Sequence, residues 1–307
     1  MVKSVGLIVL LATLQLAQPT FRSRTSIVAM NVTVLDEHGA PVPRLTRDAF
    51  TITEDGRPRP IASFAAGNVP ISLIVALDAS ESMTGARFAL AREAAIGFLD
   101  RLGPDDEFTV MAFNDQPFAV APWSRNRDTI VEALNRVVPY GSTALYATVA
   151  TAIDGLRGSR NRRQALVIIS DGNDHGRNER VPKDRPYVEA IRRKQTALER
   201  VRNTEALVYA IGVDSNANSG PYEPRLDVQA LRDLTDPSGG STQAIRSGAA
   251  IAGAAERIGA ELRQQYVLGF TPDHPDDDKF HKVQVTVSGC AKCRVRTRSG
   301  FIADKAK

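Results

Sequence analysis

Two apolar patterns follow one another along the chain and mark two kinds of structure. Between residues 27 and 64, Val28, Met30, Val32 and Val34 alternate with Ala29, Asn31 and Thr33. That is the two-residue period of a strand with one buried face. Asp36 to Gly39 reads as a turn, Phe50 and Ile52 restart the alternation, Asp55-Gly56 is a hairpin signal, and Ile61 and Phe64 close the segment. From Pro70 the pattern changes. Residues 71–77 (ISLIVAL) form an apolar run, as in a strand covered on both faces. Phe88, Ala91, Ala95, Phe98 and Leu102 then recur at spacings of three and four until Gly103-Pro104. This is the stripe of an amphipathic helix, ended by residues that cannot continue it.

The alternation of strand and helix continues. Strands are predicted at 108–113, 118–123 (an antiparallel edge), 165–170, 206–213 and 241–245, and helices at 129–138, 143–156, 187–202, 228–234 and 249–262. This order predicts a doubly wound α/β sheet. The β pattern then returns at Tyr266, Leu268 and Phe270, and again at Val283, Val285, Val287 and Val295. Neither β flank buries enough area alone, so the two are expected to pair into one small β domain. The expected organisation is a leader at 1–18, an N-terminal β segment at 24–67, an α/β domain at 69–265 and a C-terminal β segment at 266–303.

Composition adds the compartment. Lys3 followed by the apolar stretch 5–17 (VGLIVLLATLQLA) has the length of an export signal and is too short to span a bilayer. No other run is apolar and long enough for a membrane helix, so the expected location is periplasmic or extracellular, without a membrane span after cleavage. Two cysteines, Cys290 and Cys293, stand in 307 residues, so stability rests on the core and not on a disulfide framework. The net charge of +4 is spread over both signs. No basic run is interleaved with aromatics as single-strand binding requires, so nucleic acid is not an expected partner.

In open α/β sheets ligands bind beyond the carboxyl ends of the strands. Three segments should converge there: Asp78-Ala-Ser80-Glu-Ser82 after the first buried strand, Gly141-Ser-Thr143 at a helix start, and Ser170-Asp171-Gly172 after the second buried strand. Asp78, Ser80, Ser82, Thr143 and Asp171 all offer oxygen, and no His or Cys accompanies them. An all-oxygen set selects a hard cation. Small hydroxyl donors with few carboxylates favour a compact octahedral shell at about 2.1 Å, hence Mg²⁺ or Mn²⁺ ahead of Ca²⁺. Two carboxylates just neutralise such an ion, and a vacant position on it would attract an external carboxylate. Glu81 and Asn173 on the same rim, and His175 beyond it, read as solvated loop residues.

Asp78-x-Ser80-x-Ser82, Thr143 and Asp171, in that order and spacing over about residues 70–265, resemble the metal-ion-dependent adhesion site of the von Willebrand factor type A fold. The resemblance implies a mostly parallel six-stranded sheet with helices on both faces. It implies direct ligation by Ser80, Ser82 and Thr143, with Asp78 and Asp171 acting through water. The flanks resemble a family of secreted bacterial proteins bearing this domain, through Pro19 to Arg22, Asp36 with Gly39, Leu45-Thr46 with Asp48 and Phe50, Glu54-Asp-Gly56, Gln265-Tyr266 and Gly300-Phe301.

Other constellations point elsewhere less strongly. Cys290-Ala-Lys-Cys293 sits in a β turn, without the helix N-terminus of a redox pair or two further zinc ligands, and reads as a local disulfide or two thiols. Asp273 to Asp278 (DHPDDD) lacks the Gly and terminal Glu of a hand-type calcium loop and reads as a solvated hairpin loop. Asp78 lacks the second Asp two residues on that an Asp-nucleophile phosphatase wants, and no G-x-S-x-G elbow is present. The expectation is a non-enzymatic protein that binds a partner presenting Asp or Glu through a divalent cation. An envelope scaffold with a structural metal is the alternative, and a hydrolase the least favoured.

Overall fold

A computed structural model describes residues 27–67, 69–175, 186–214, 226–246 and 248–303. The expected leader and the Pro19 to Arg22 motif lie outside the described residues. In chain order the strands are β1 (Val28–Leu35), β2 (Phe50–Glu54), β3 (Arg57–Arg59), β4 (Ser63–Ala66), β5 (Ile71–Asp78), β6 (Glu107–Phe113), β7 (Pro117–Ala119), β8 (Arg163–Ser170), β9 (Leu207–Val213), β10 (Thr242–Ile245), β11 (Tyr266–Phe270), β12 (Phe280–Val287), β13 (Arg294–Arg296) and β14 (Gly300–Ile302). The α-helices are α1 (Ala86–Leu99), α2 (Arg127–Leu134), α3 (Leu145–Leu156), α4 (Pro186–Asn203), α5 (Val228–Thr235) and α6 (Gly248–Arg263).

The central sheet has six strands in the order β10-β9-β8-β5-β6-β7. All pairings are parallel except β6 with β7. The apolar run of β5 is explained by cover on both sides. Leu73, Val75 and Leu77 pack with Phe88, Ala91 and Phe98 of α1 and with residues of α2 and α6. Ile74 and Ala76 pack with Val149 and Ile153 of α3 and with residues of α4 and α5. The chain runs from β5 to β6 on one side and returns to β8 on the other, so the strand order reverses at β5. Such a reversal opens a crevice above the carboxyl ends of the central strands.

Two boundaries differ from the sequence pattern. The edge strand predicted over 118–123 ends at Ala119. Past Val120, whose N–H meets Val110 O, pairing resumes only at Phe108 with Ser124, so four steps of the edge segment face two of β6 and bulge out. The helix predicted from Thr143 starts at Leu145, because Ala144 turns its N–H to Asn114 O.

The two flanks build the second body. β1 pairs antiparallel with β11, Met30 opposite Leu268, and β2 pairs with β12, Ile52 opposite Val285. The sheets β13-β1-β11-β4 and β14-β12-β2-β3 enclose one core that includes Met30, Val32, Ile52, Tyr266, Phe270 and Phe301. Cys290 and Cys293 are disulfide-bonded. The aspartate-rich loop is more tied down than a solvated hairpin. Asp273 is ion-paired with Arg59, and Asp277 Oδ1 lies 3.0 Å from His281 Nε2. The other ring nitrogen, Nδ1, lies 2.8 Å from Asp55 Oδ2, and the side chain is only 7% exposed.

With a carboxylate at each nitrogen, the charged imidazolium of His281 donates twice. The hydrogen bond to Asp277 raises its pKa most, ahead of that to Asp55, against an opposing effect of burial. A raised folded-state value stabilises fully below the unfolded pKa of about 6.5 and is lost as pH rises through the folded value. His281→Gln is therefore expected to lower the urea midpoint at about pH 6, with the gap narrowing by about pH 9. A gap equal at both would show that the charged ring does not hold the loop.

Candidate functional site

The carboxyl ends of β5 and β8 are neighbours, with Leu77 in register with Ile169. The next residues carry the site. Asp78 is fully buried, and both its oxygens are held from the protein side. Oδ1 accepts Ser80 N–H at 3.0 Å and Oδ2 accepts the Ser170 hydroxyl at 2.6 Å. Asp171, also fully buried, accepts the Ser82 hydroxyl on Oδ2 at 2.8 Å and Asn173 N–H on Oδ1 at 3.1 Å. Ser80 Oγ and Ser82 Oγ are 3.1 Å apart. Four of the five sequence-predicted residues thus form one connected group.

Thr143 comes from the second segment and is buried, at 2% exposure. Its loop is pinned to the first by Tyr140 N–H to Ala79 O at 2.9 Å and Glu81 N–H to Gly141 O at 3.0 Å, and to the third by His175 N–H to Thr143 O at 2.9 Å. Thr143 and Ser82 line one cleft of about 300 Å³, with Glu81, Asp115, Ser142 and His175 around it. Gly141 makes the tight approach there. Its φ is +77°, and a Cβ would lie 2.8 Å from Asp115 Oδ2. Gly172 is constrained likewise, at φ +82° with a Cβ only 2.4 Å from Asp227 O.

Electrostatics set the character of the site. Burial first, and the nearby Asp171 second, push the Asp78 carboxyl up to about 7, with the bonds from Ser170 and Ser80 opposing the rise only in part. The guanidinium of Arg87 is buried beside Asp171, 3.9 Å from Oδ2, and donates to Ser82 O at 2.8 Å. A divalent cation fits this donor set. An octahedral shell of about 2.1 Å radius has oxygen–oxygen edges of about 3.0 Å. The spacing of Ser80 Oγ and Ser82 Oγ, 3.1 Å, is close to that figure, and Asp171 Oδ2 stands 2.8 Å behind Ser82 Oγ. Ser80, Ser82 and Thr143 would hold such an ion, with Asp78 and Asp171 behind them.

Several residues that shape the site stand outside the sequence-derived set. Ser170 orients Asp78 and also accepts Gly172 N–H at 3.0 Å. Asp174 accepts Tyr146 N–H at 3.2 Å in the first turn of α3, the helix that follows Thr143, and lies 3.6 Å from Arg193. Asp115 accepts Ser142 N–H at 2.9 Å. Ser170 and Asp174 flank the Asp171-Gly172 turn, so position along the chain could have flagged them. Arg87 carries no such signal, since a lone arginine at a helix start gives no hint of burial. Glu81 and His175 are exposed rim residues, as their loop positions imply, and Asn173 is half-buried.

Comparison with known proteins finds a family match over part of the chain. Residues 73–173, which hold all five oxygen donors, match the model of the von Willebrand factor type A domain. An uncharacterised protein of Synechocystis, sll0103, is 33% identical over 116 residues, 36% of this chain and 28% of that one. The human voltage-dependent calcium channel subunit alpha-2/delta-3 is 30% identical over 122 residues, 35% of this chain and 11% of that one. The matched regions thus span little more than a quarter and about a tenth of those relatives. Among solved structures, a von Willebrand factor type A protein from Catenulispora acidiphila superposes with a TM-score of 0.51 at 13% identity, covering 92% of this chain and 75% of that one.

The buried Asp78 makes a test of the metal-free protein. A folded-state value of about 7, above the ordinary 3.8, means that the stability of the protonated group is present below about pH 4 and lost as pH rises to about 7. In chelator, Asp78→Asn is expected to unfold at higher urea than the parent at about pH 8, with the difference shrinking toward about pH 5. A variant less stable than its parent at about pH 8 would show that the buried charge is fully compensated by the protein alone.

Proposed function

We propose that this chain, a protein of the von Willebrand factor type A family, is a non-enzymatic binding protein in which Asp78, Ser80, Ser82, Thr143 and Asp171 hold a divalent cation. The ion is Mg²⁺ or Mn²⁺ ahead of Ca²⁺. A protein or other extracellular ligand presenting Asp or Glu completes its shell, and the chain acts after export, in the periplasm or outside the cell. The observation that carries the reading is the pair of hydroxyl oxygens Ser80 Oγ and Ser82 Oγ, 3.1 Å apart as octahedral neighbours would be, backed by the two buried carboxylates of Asp78 and Asp171. A bound cation would supply a positive centre open to one external anionic oxygen. The protein's own groups keep the donors in place: Ser170 fixes Asp78, Asn173 N–H fixes Asp171, and the loop carrying Thr143 is pinned to both other loops.

The cleft bears on the choice between a binding and a purely structural ion. Asp78 and Asp171 are sealed, as suits a structural ion, but Ser82 and Thr143 line an open cleft. That opening favours the binding role. Among the described residues no helix is long and apolar enough to cross a membrane.

Two measurements test this together. Mg²⁺ is expected to raise the melting temperature of the parent and to leave Asp171→Ala and Thr143→Ala unmoved. Pull-down from the native envelope with Mg²⁺ is expected to capture a partner that chelator releases and that both variants fail to retain. If Mg²⁺ moves the melting temperature but not partner retention, the ion is structural. If it moves neither, the site is not a cation site.

A further inference from the structure

A second cleft is built by the same two chain segments that line the cation cleft. It has a volume of about 370 Å³ and lies between β7 and the segment that leaves α2, with Phe118, Val120, Val137, Val138 and Tyr140 in its lining. Among the described residues eight large apolar side chains are exposed, and three of them line this one cleft: Phe118 at 36%, Val138 at 69% and Tyr140 at 60%. Exposed apolar groups gathered at a concave surface mark a contact site, where scattered ones need no explanation.

The chain joins this cleft to the cation site twice over. Tyr140 lines the apolar cleft and the next residue, Gly141, lines the other; Phe118 lines the apolar cleft and Asp115, three residues earlier, lines the other. Tyr140 N–H also bonds Ala79 O, inside the Asp78-to-Ser82 loop. The charges divide in the same way. Glu81 and Asp115 stand exposed on the cation cleft, whereas the apolar cleft holds no carboxylate, and its single charged lining residue, Arg136, is ion-paired with Glu132. A ligand with several acids would meet Glu81 and Asp115 in repulsion. A ligand with one acid aimed at the cation and an uncharged remainder would not.

We propose that the partner's acidic residue is accompanied, within a few residues of its own chain, by an aromatic or branched aliphatic side chain that seats among Phe118, Val138 and Tyr140. This names the partner chemistry of the cation site and rests on that reading. The carboxylate supplies the anchor, and the apolar side chain adds affinity by displacing water from surface that is wet in the free protein.

The test uses a displayed library of short random peptides, panned on the full-length protein in Mg²⁺ and eluted with chelator. The eluted peptides are expected to hold Asp or Glu with Phe, Tyr, Trp, Leu or Ile at a recurrent spacing. Synthetic copies are expected to bind Val138→Ser/Tyr140→Ser about tenfold more weakly than the parent. The Mg²⁺-induced rise in melting temperature of that variant should be unchanged, which shows that it is folded and still holds the ion. Acidic peptides that bind parent and variant equally would overturn the apolar subsite while leaving the cation reading intact. Peptides that need Val138 and Tyr140 but survive chelator would overturn the coupling to the cation, as would the absence of any chelator-eluted peptide. If the substitution instead converts a dimer to a monomer in sedimentation, the cleft is covered by a second copy and the proposal falls.

Discussion

Two carboxyl groups placed side by side and shut away from water govern the site. Asp78 and Asp171 stand at the ends of adjacent parallel strands, and both are fully buried. In so dry a place each charge must find compensation or lose its ionisation. The protein offers hydroxyls, two backbone N–H groups and the guanidinium of Arg87, 3.9 Å from Asp171. The carboxyl group of Asp78 is nevertheless pushed up to about 7. Neutral donors lower the cost of such a pair without cancelling it, and the features around the site follow from that shortfall.

The fold keeps this arrangement at one end of the molecule. The β-sandwich joins the central domain at the amino ends of its strands. Arg163, the first residue of β8, donates to Val69 O and Gln265, and Gln265 donates to the hydroxyl of Tyr209 on β9. Asn31 of β1 donates to Glu205 O, just ahead of β9. The site lies at the opposite ends of the same strands, about 25 Å away for a strand the length of β5. The loop after β5, residues 171–175 after β8 and the loop before α3 are thus set by bonds to each other and to neighbours at this end, among them Arg87, Asn114, Asp115 and Asp227.

Much of this was legible in the chain, for an identifiable reason. Strands covered on both faces must be apolar along their length, so β5, β8 and β9 announce themselves, and Asp78 and Asp171 stand out as the polar residues that end such runs. The flanks were legible because Val28 to Val34 and Val283 to Val287 keep the two-residue period of a half-buried strand. What could not be read depends on a partner distant in sequence. Arg87 is buried beside Asp171 and the carbonyl of Ser82, contacts that its own place in the sequence does not announce. His281 is held by Asp55 and Asp277, which arrive from two different turns. The edge strand stopped short because two extra residues bulge against β6, a register fact that local hydrophobicity does not encode.

Charge and identity are separate problems at such a site. A cation held by hydroxyls and backed by carboxylates would accept any carboxylate presented to it, so it cannot distinguish one acidic partner from another. Discrimination has to come from surface that touches the ligand beside the ion. In this chain the segments that frame the proposed cation cleft, at Asp115 and at Gly141 to Thr143, are the same ones that carry the exposed apolar side chains of Phe118, Val138 and Tyr140. On the proposed reading, selectivity would reside in these exposed loop residues, while the donors beside them are held by the bonds among the loops at the strand ends. Such a division would let the partner change through a few surface positions without disturbing the two buried aspartates on which the site depends.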